Sequence, residues 1–458
     1  MATSITLEDL PTEILSHICV QAKENGGSDI LRLSLTSRRF RIITIPHIFG
    51  RLSFVTSPFS NVVDENPTDS RISLLRTIIT NSKIAFEVKE IEDLFGGRCS
   101  VAREDLDIII RAANDFGTTS LEGLVRVLNQ WRNFETLPDM QFGLNRGVWN
   151  VLSNFTTEML IAHTPNLRSL EYNVHGSPSA FETLEEAIRT HFRVPLLPNL
   201  VDAYIELSGS ADLVQSLAKA APALDSLWLS SVWGLESGIQ FNSVRVLILT
   251  KVDLTSAELK KLLSGFPGLK KFWFTSSHRS MRAGSPSQLC RPQEVVDALY
   301  ALNLGIKELT LRFNSWDCNE PSHDSQTPLH GLLTSLQKLD KLEDLDFDGM
   351  CFWGRGDFLH GSQTYGPVKV QALARLLPRS LKKLTLTDLK NGPFYEDLEA
   401  LQERISEILP ELGVLQCGLR HGRPLPQDKV QYLMERFAAQ GVKFQDSASI
   451  HFGSDEDN

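Results

Sequence analysis

One short apolar phrase recurs along most of the chain: an apolar residue, two others, an apolar residue, one other and a third apolar residue. It occurs at Leu167-Leu170-Tyr172, Leu224-Leu227-Leu229, Val244-Leu247-Leu249, Leu269-Phe272-Phe274, Ile306-Leu309-Leu311, Leu342-Leu345-Phe347, Leu381-Leu384-Leu386 and Leu412-Leu415-Cys417, with a weaker copy at Leu200-Ala203-Ile205. The last two apolar positions alternate with other residues, as in a strand that buries one face. Each phrase therefore predicts one strand.

Helical stretches separate these predicted strands. Thr255-Ser256-Ala257-Glu258 has the form of a capping box that opens a helix over 259–263, and another helix is predicted over 329–339. One strand plus one helix per repeat is the leucine-rich-repeat layout, which winds into a horseshoe. A doubly wound parallel sheet also alternates strand and helix, but the L-x-x-L-x-L phrase favours the repeat. Because the asparagine that usually follows the strand is missing, the repeats are degenerate.

These patterns predict an α/β chain in which a short helical segment precedes the repeats. We expect the leucine-rich-repeat domain at 165–452 and an acidic tail at 453–458. The intervening residues 52–164 are interpreted as early degenerate repeats or a linker, with a first strand at 84–91.

The first fifty residues predict two helices. Leu10, Ile14 and Ile18 are spaced as one helical face, and Pro11 suits the first helical position, where its missing N–H costs nothing. The second stretch, 30–41, has apolar residues on more than one side. A short helix of this kind needs a partner surface beyond its own small core.

Residues 1–51 are identified by resemblance as an F-box. The family pattern is a leucine, then L-P-x-E-I, an isoleucine, and D-L-L-x-L-S-x-V-S-K/R-x-W/F. The sequence matches it at Leu7, Leu10, Pro11, Glu13, Ile14, Ile18, Asp29, Leu31, Leu33, Ser34, Ser37, Arg38 and Phe40. It departs mildly at Ile30 and Thr36, where leucine and valine are usual.

The resemblance implies binding to a Skp-type adaptor and, through it, to a cullin scaffold. The residues that would make or support the adaptor contact are Leu10, Pro11, Ile14, Leu15, Ile18, Leu31 and Phe40. The alternative is a helical cap on the repeat array, because repeat proteins need capped ends.

A protein substrate is expected on the concave face of the repeats, where the middle residue of each phrase is exposed. Tyr204, Trp228, Ile248 and Trp273 fall on successive strands and predict an apolar row, which is typical of an interface. Asp346, with Asp344 and Asp348, predicts a negative strand that would favour a basic stretch of the substrate. An alternative is that another part of the chain covers the row.

Long loops over 276–292, 314–328 and 350–367 form a second candidate surface, on the rim of the horseshoe. They carry Trp316, Trp353 and Tyr365. Loops of this length are uncommon unless they are functional or disordered.

Composition and motifs narrow the class of function. The net charge of −10 argues against a general nucleic-acid binder. The six cysteines lack metal-ligand spacing, no apolar run is long enough for a membrane span, and no phosphate loop, nucleophile elbow or zinc-protease motif occurs. We therefore expect no metal, no cofactor, no membrane partner and a cytoplasmic or nuclear location.

The F-box resemblance, combined with the repeat pattern, implies a non-catalytic subunit of a Skp–cullin–F-box ubiquitin ligase, which would recognise a protein substrate for ubiquitination and degradation. The alternative is a scaffold or repeat-type interaction module that binds the adaptor alone or uses its helical N-terminus only as a cap.

Overall fold

The computed structural model describes residues 7, 10–25, 27–54, 70–93, 107–108, 110–111, 146–174, 196–235, 238–276, 290–313, 333–353, 372–389, 394–419 and 426–446. The chain divides into two compact units, Met1–Gly209 with Leu213–Leu227, and Ser210–Asp212 with Trp228–Asn458. Within each unit, the described strands follow one another across a sheet in the order of the chain, and the strands that pair run parallel. The fold is therefore α/β, as predicted.

Three helices open the first unit: α1 (Thr12–Asn25), α2 (Gly27–Thr36) and α3 (Arg38–Phe49). Ser37 caps α3, because its hydroxyl accepts a hydrogen bond from the backbone N–H of Phe40 at 3.2 Å. The Arg39 guanidinium donates to the carbonyl of Leu10 at 2.8 Å and ties α3 to the start of α1. The core that these helices share is small and consists of Leu15, Cys19, Ile30 and Phe40.

Four strands belong to the first unit: β1 (Arg51–Ser53), β2 (Glu90–Asp93), β3 (Ser169–Asn173) and β4 (Asp202–Gly209). Further helices described in this unit are α4 (Ser70–Thr80), α5 (Ser82–Ala85), α6 (Arg146–Ala162) and α7 (Gln215–Ala220). The strand predicted at 84–91 is mostly wrong, because its first residues form α5 and the strand begins only at Glu90. The first strand lies earlier, at β1, and pairs in register with β2.

A buried ion pair explains why β2 has a polar residue where the phrase expects an apolar one. The Arg71 guanidinium lies 3.2 Å from the Asp93 carboxylate, and the Thr157 hydroxyl donates to the same carboxylate oxygen at 2.6 Å. All three side chains are buried. A buried carboxylate is tolerated when such partners replace water, so Asp93 joins β2 to α4 and α6.

The second unit continues the pattern through its strands. After β5 (Ser226–Val232), which begins at the boundary between the units, come β6 (Val246–Val252), β7 (Lys271–Ser276), β8 (Glu308–Arg312), β9 (Asp344–Asp348), β10 (Lys383–Leu389), β11 (Val414–Leu419) and β12 (Lys443–Asp446). The helices between them are α8 (Ser256–Leu263), α9 (Pro292–Ala301), α10 (Met350–Trp353), α11 (Ala372–Leu376), α12 (Phe394–Glu403), α13 (Ile405–Ile408) and α14 (Gln427–Ala438).

The apolar phrase forms the core, as the sequence predicts. Every residue of the nine phrases is buried. Equivalent positions also stand side by side in the sheet: Leu309 is in register with Leu345, and Leu345 with Leu384. The phrase therefore sets the strand register as well as burial, because a shift by one residue would turn its apolar side chains to the other face.

The segment between α9 and β9 lacks the predicted helix in its described residues. A helix was expected over 329–339, but the described residues from Leu333 onward are turns. The backbone N–H of Leu333 donates to Cys351 and that of Leu336 to Leu376, both in the following repeats. The side-chain oxygen of Gln293 accepts from the N–H of Thr334 at 2.8 Å. These bonds replace those a helix would have made.

Asp348 stabilises the loop after β8 and the start of α10, although the asparagine that usually follows the strand of a leucine-rich repeat is missing. Its carboxylate accepts hydrogen bonds from the backbone N–H of Phe313, in the neighbouring repeat, and of Cys351, at 3.0 Å. The side chain is fully buried at the end of β9. An aspartate here thus satisfies loop N–H groups that would otherwise be buried without partners.

Candidate functional site

The helix α2 has two apolar sides that face different surroundings. Ile30 is buried in the helical core and Leu33 packs against it. Leu31 and Leu35 lie one turn apart on another side and are 52% and 76% exposed. An exposed leucine pair on so small a helical unit is a feature of interfaces.

The other predicted adaptor-binding residues separate into two groups. Ile14 is 49% exposed and Pro11 is also exposed. Leu10 and Ile18 are partly buried against the helical core, whereas Leu15 and Phe40 lie inside it. The inner group can support a contact by holding the helices, and only the outer group can touch a partner directly.

Like Ile42 on α3, Leu35 is an exposed apolar residue that the predicted site omits. It is the most exposed large apolar side chain of the described residues. Its spacing of four residues from Leu31 was the signal that places both on one helical side.

The predicted apolar row is divided between the units. Tyr204, on β4, is half-buried in the first unit. Trp228 on β5, Ile248 on β6 and Trp273 on β7 belong to the second, and Ile248 is in direct register with Trp273. The three side chains alternate with the buried phrase, so they lie on the opposite face of the sheet.

Trp228 and Trp273, the two tryptophans of the predicted row, have their indole N–H groups hydrogen-bonded. The indole N–H of Trp228 donates to the Thr250 hydroxyl at 2.9 Å, and that of Trp273 to the Thr275 hydroxyl at 3.1 Å. Trp228 is nevertheless 39% exposed. Its accessible surface is therefore mainly ring, which suits contact with an apolar group of a partner.

The aspartates of β9 do not form the predicted free negative strand. The Asp346 carboxylate lies 2.5 Å from the Arg312 guanidinium, and Asp344 lies 3.2 Å from the Lys383 ammonium. Asp348 is bonded to backbone N–H groups, as described above. Burial raises the pKa of Asp346, although Arg312 opposes the shift. The expected attraction of a basic substrate to β9 therefore has no support in this geometry.

The predicted rim loops lie outside the described residues for the most part. Trp316 and Tyr365 fall outside them, and of Trp353 only the backbone, at the end of α10, is described.

The described side chains provide little covalent chemistry. Cys351 is fully buried, its sulfur lies 3.1 Å from the Asp348 carboxylate, and burial followed by that charge raises its pKa well above the ordinary value. The thiol is therefore not an activated nucleophile. No group of three His, Cys, Asp or Glu residues within the described ranges is arranged to hold a metal ion, and no helix there is long and apolar enough to span a membrane.

The fold and these surfaces define a class: an α/β protein of parallel strand repeats with a helical N-terminal segment. No protein-family model matches the chain, and no curated protein matches it. Among solved structures, the chain is similar to the leucine-rich repeat-containing protein LegL7 from Legionella pneumophila, with 15% identity and a TM-score of 0.34, over 66% of this chain and 82% of that one. The repeat class rests on the buried phrases and on the strand order rather than on this distant likeness.

Proposed function

We propose that the protein is the substrate-recognition adaptor of a Skp–cullin–F-box ubiquitin ligase. The observation that carries the proposal is the exposed pair Leu31 and Leu35 on a helix whose other side completes the helical core. The F-box resemblance of residues 1–51 names the partner that would cover this pair, a Skp-type adaptor.

The physical reason is the cost of leaving apolar surface in water. Burying a leucine side chain that is otherwise exposed contributes about 1.5–3 kcal/mol. Leu31, Leu35 and Ile14 would contribute in this way only when a partner covers them. Leu15 and Phe40, being buried already, would act by keeping α1 and α3 in place.

The strand repeats would hold the substrate in this proposal. Trp228 and Trp273 offer apolar ring surface on the sheet face opposite the core, and aromatic side chains often anchor protein contacts. The mechanism is positional: holding a substrate beside a charged ubiquitin-conjugating enzyme raises the effective concentration of its lysines. The chain itself then performs no covalent step.

The test is a pull-down of purified Skp-type adaptor and cullin by the full-length protein. A triple variant, Ile14→Ala/Leu31→Ala/Leu35→Ala, removes exposed side chains and is expected to capture neither partner while keeping its circular dichroism spectrum. Phe86→Ala is the matched control, because Phe86 is an exposed apolar residue of the same unit outside α1–α3. It is expected to capture both partners.

Other outcomes lead to the alternatives. Capture of the adaptor without cullin would replace the ligase proposal with a scaffold that binds the adaptor alone. If the wild-type protein captures neither partner, the helices are only a cap on the repeats and the proposal fails.

A further inference from the structure

A cavity of about 590 Å³ lies in the second unit, between α11, α13 and the turns that precede β9, β10 and β11. This volume is in the range of sites that bind small ligands or single side chains. Three arginines line it, Arg375, Arg379 and Arg404, whereas Asp340 and Glu407 are its acidic residues. The lining therefore carries one net positive charge in a chain of net charge −10.

One carboxylate is already bound there by the geometry that arginine favours. The Arg404 guanidinium donates from Nε to Glu407 Oε2 at 3.2 Å and from Nη2 to Glu407 Oε1 at 2.9 Å. This two-point pairing lowers the pKa of Glu407. Within the described residues, Arg375 and Arg379 make no ion pair of this kind. Although the charge of Arg379 helps to lower the pKa of Glu407, neither guanidinium is hydrogen-bonded to a carboxylate of the described residues, so both can bond a carboxylate that comes from outside.

The remaining lining is apolar or able to bond a peptide. Ala374 and Leu377 are buried and Ile408 is half-buried, so they offer an aliphatic floor. The Ser380 hydroxyl donates to the carbonyl of Leu342 at 2.8 Å and can still accept a hydrogen bond.

Basic residues also lie along the same edge of the sheet, where one of them, Lys307, is already paired with the Glu343 carboxylate at 2.9 Å. Arg245, Lys270 and Lys307 precede successive strands and are linked by backbone hydrogen bonds of 2.8 Å, from Lys270 to Arg245 and from Lys307 to Lys270. A Cβ atom built on Gly305 would lie 3.5 Å from the Lys270 ammonium and 3.8 Å from that of Lys341. These two like charges therefore lie close together, and Lys341 directly follows Asp340 of the cavity.

We propose that this cavity binds an acidic peptide segment in which a carboxylate lies beside an aliphatic side chain. The carboxylate would pair with Arg375 and Arg379, the aliphatic side chain would rest on Ala374, Leu377 and Ile408, and further acidic residues would meet Lys270 and Lys341. Nucleic acid is disfavoured, because the cavity has no aromatic lining on which bases could stack. The inference concerns a site that the proposed function does not use.

The test uses purified full-length protein without any adaptor, so its result is independent of the ubiquitin-ligase proposal. Fluorescence anisotropy would measure binding of a labelled peptide of alternating glutamate and leucine. A second peptide with glutamine at every glutamate is expected to bind at least about fivefold more weakly. Raising the salt from about 50 to about 300 mM is expected to weaken the first peptide only.

Three variants sharpen the result. Arg379→Gln is expected to weaken the acidic peptide about fivefold. Glu407→Gln is expected to tighten it, since it frees Arg404 and removes a like charge, and a gain in affinity cannot come from misfolding. Lys260→Gln, which removes one exposed positive charge from α8, is the control and is expected to leave affinity unchanged.

The inference is overturned if both peptides bind equally, or if Glu407→Gln leaves the affinity unchanged or lowers it. It is also overturned if single-stranded RNA binds this protein with loss at Arg379→Gln while the acidic peptide does not bind.

Discussion

The helices α1–α3 and the strands β6–β11 differ in how completely they bury their own apolar residues. In the strands, every phrase places its apolar side chains in the core, and the alternating positions of β8, β9 and β10 form ion pairs or hydrogen bonds with neighbouring strands. In the helices, a core of four buried side chains coexists with exposed leucines. The strands thus bury the residues of their phrases completely, whereas the helices leave the leucine side chains of α2 in contact with water.

The largest expected effect concerns a buried polar contact of the first unit. Arg71→Ala should lower the free energy of unfolding by about 3–5 kcal/mol, because it leaves the Asp93 carboxylate buried without its counter-charge. Chemical denaturation monitored by circular dichroism would measure the loss. Arg76→Ala removes an exposed arginine from the same helix and should cost much less. Equal effects of the two variants would mean that the Arg71–Asp93 pair does not stabilise the strand region.

A smaller effect is expected at the start of α8. The Thr255 hydroxyl accepts from the N–H of Glu258, and the Glu258 carboxylate accepts from the N–H of Thr255, which completes the predicted capping box. Thr255→Ala should therefore cost about 1 kcal/mol, and Thr255→Ser, which keeps the hydroxyl, should cost less. The same denaturation experiment compares them, and a serine variant as unstable as the alanine variant would contradict the assignment.

The smallest expected effect is at the exposed leucines. Leu35→Ala should change the stability of the isolated protein by no more than about 0.5 kcal/mol, because its side chain touches water rather than the core. Leu15→Ala, in the helical core, should cost about 2–5 kcal/mol. Thermal unfolding would separate them. A large loss at Leu35 would remove the contrast between the helices and the strands.

Much of the fold was predictable because one physical cause dominates it. Burial of one strand face gives the phrase its spacing, so nine strands could be placed from apolar residues alone. The strand β1 was not predicted although Phe49, Leu52 and Phe54 repeat the same spacing, since the spacing crosses residue 51, the expected boundary between the F-box and the segment 52–164. The strand β2 was predicted too early, because Asp93 stands at an apolar position and its partners Arg71 and Thr157 are distant in sequence.

Prediction of the candidate sites was less complete for a similar reason. The exposed side of α2 follows from helical spacing within ten residues, and the sequence indicates it. The cavity of Arg375, Arg379 and Arg404 draws its residues from the helices and turns before three different strands, and no local pattern marks such an assembly. Likewise, the charges of β9 look free in the sequence, and only the register of β8 and β10 supplies Arg312 and Lys383 as their partners.

The strand order of the second unit affects how this unit folds and how it could gain or lose repeats in evolution. Because β6 to β12 follow one another across the sheet as along the chain, each strand exchanges hydrogen bonds only with its neighbours in sequence. Contacts between such neighbours close short loops, which favours rapid folding that spreads from any well-packed repeat. A duplicated or deleted strand-plus-helix unit would meet surfaces like those it replaced. Natural variation in this part of the chain is therefore expected to come in whole repeats.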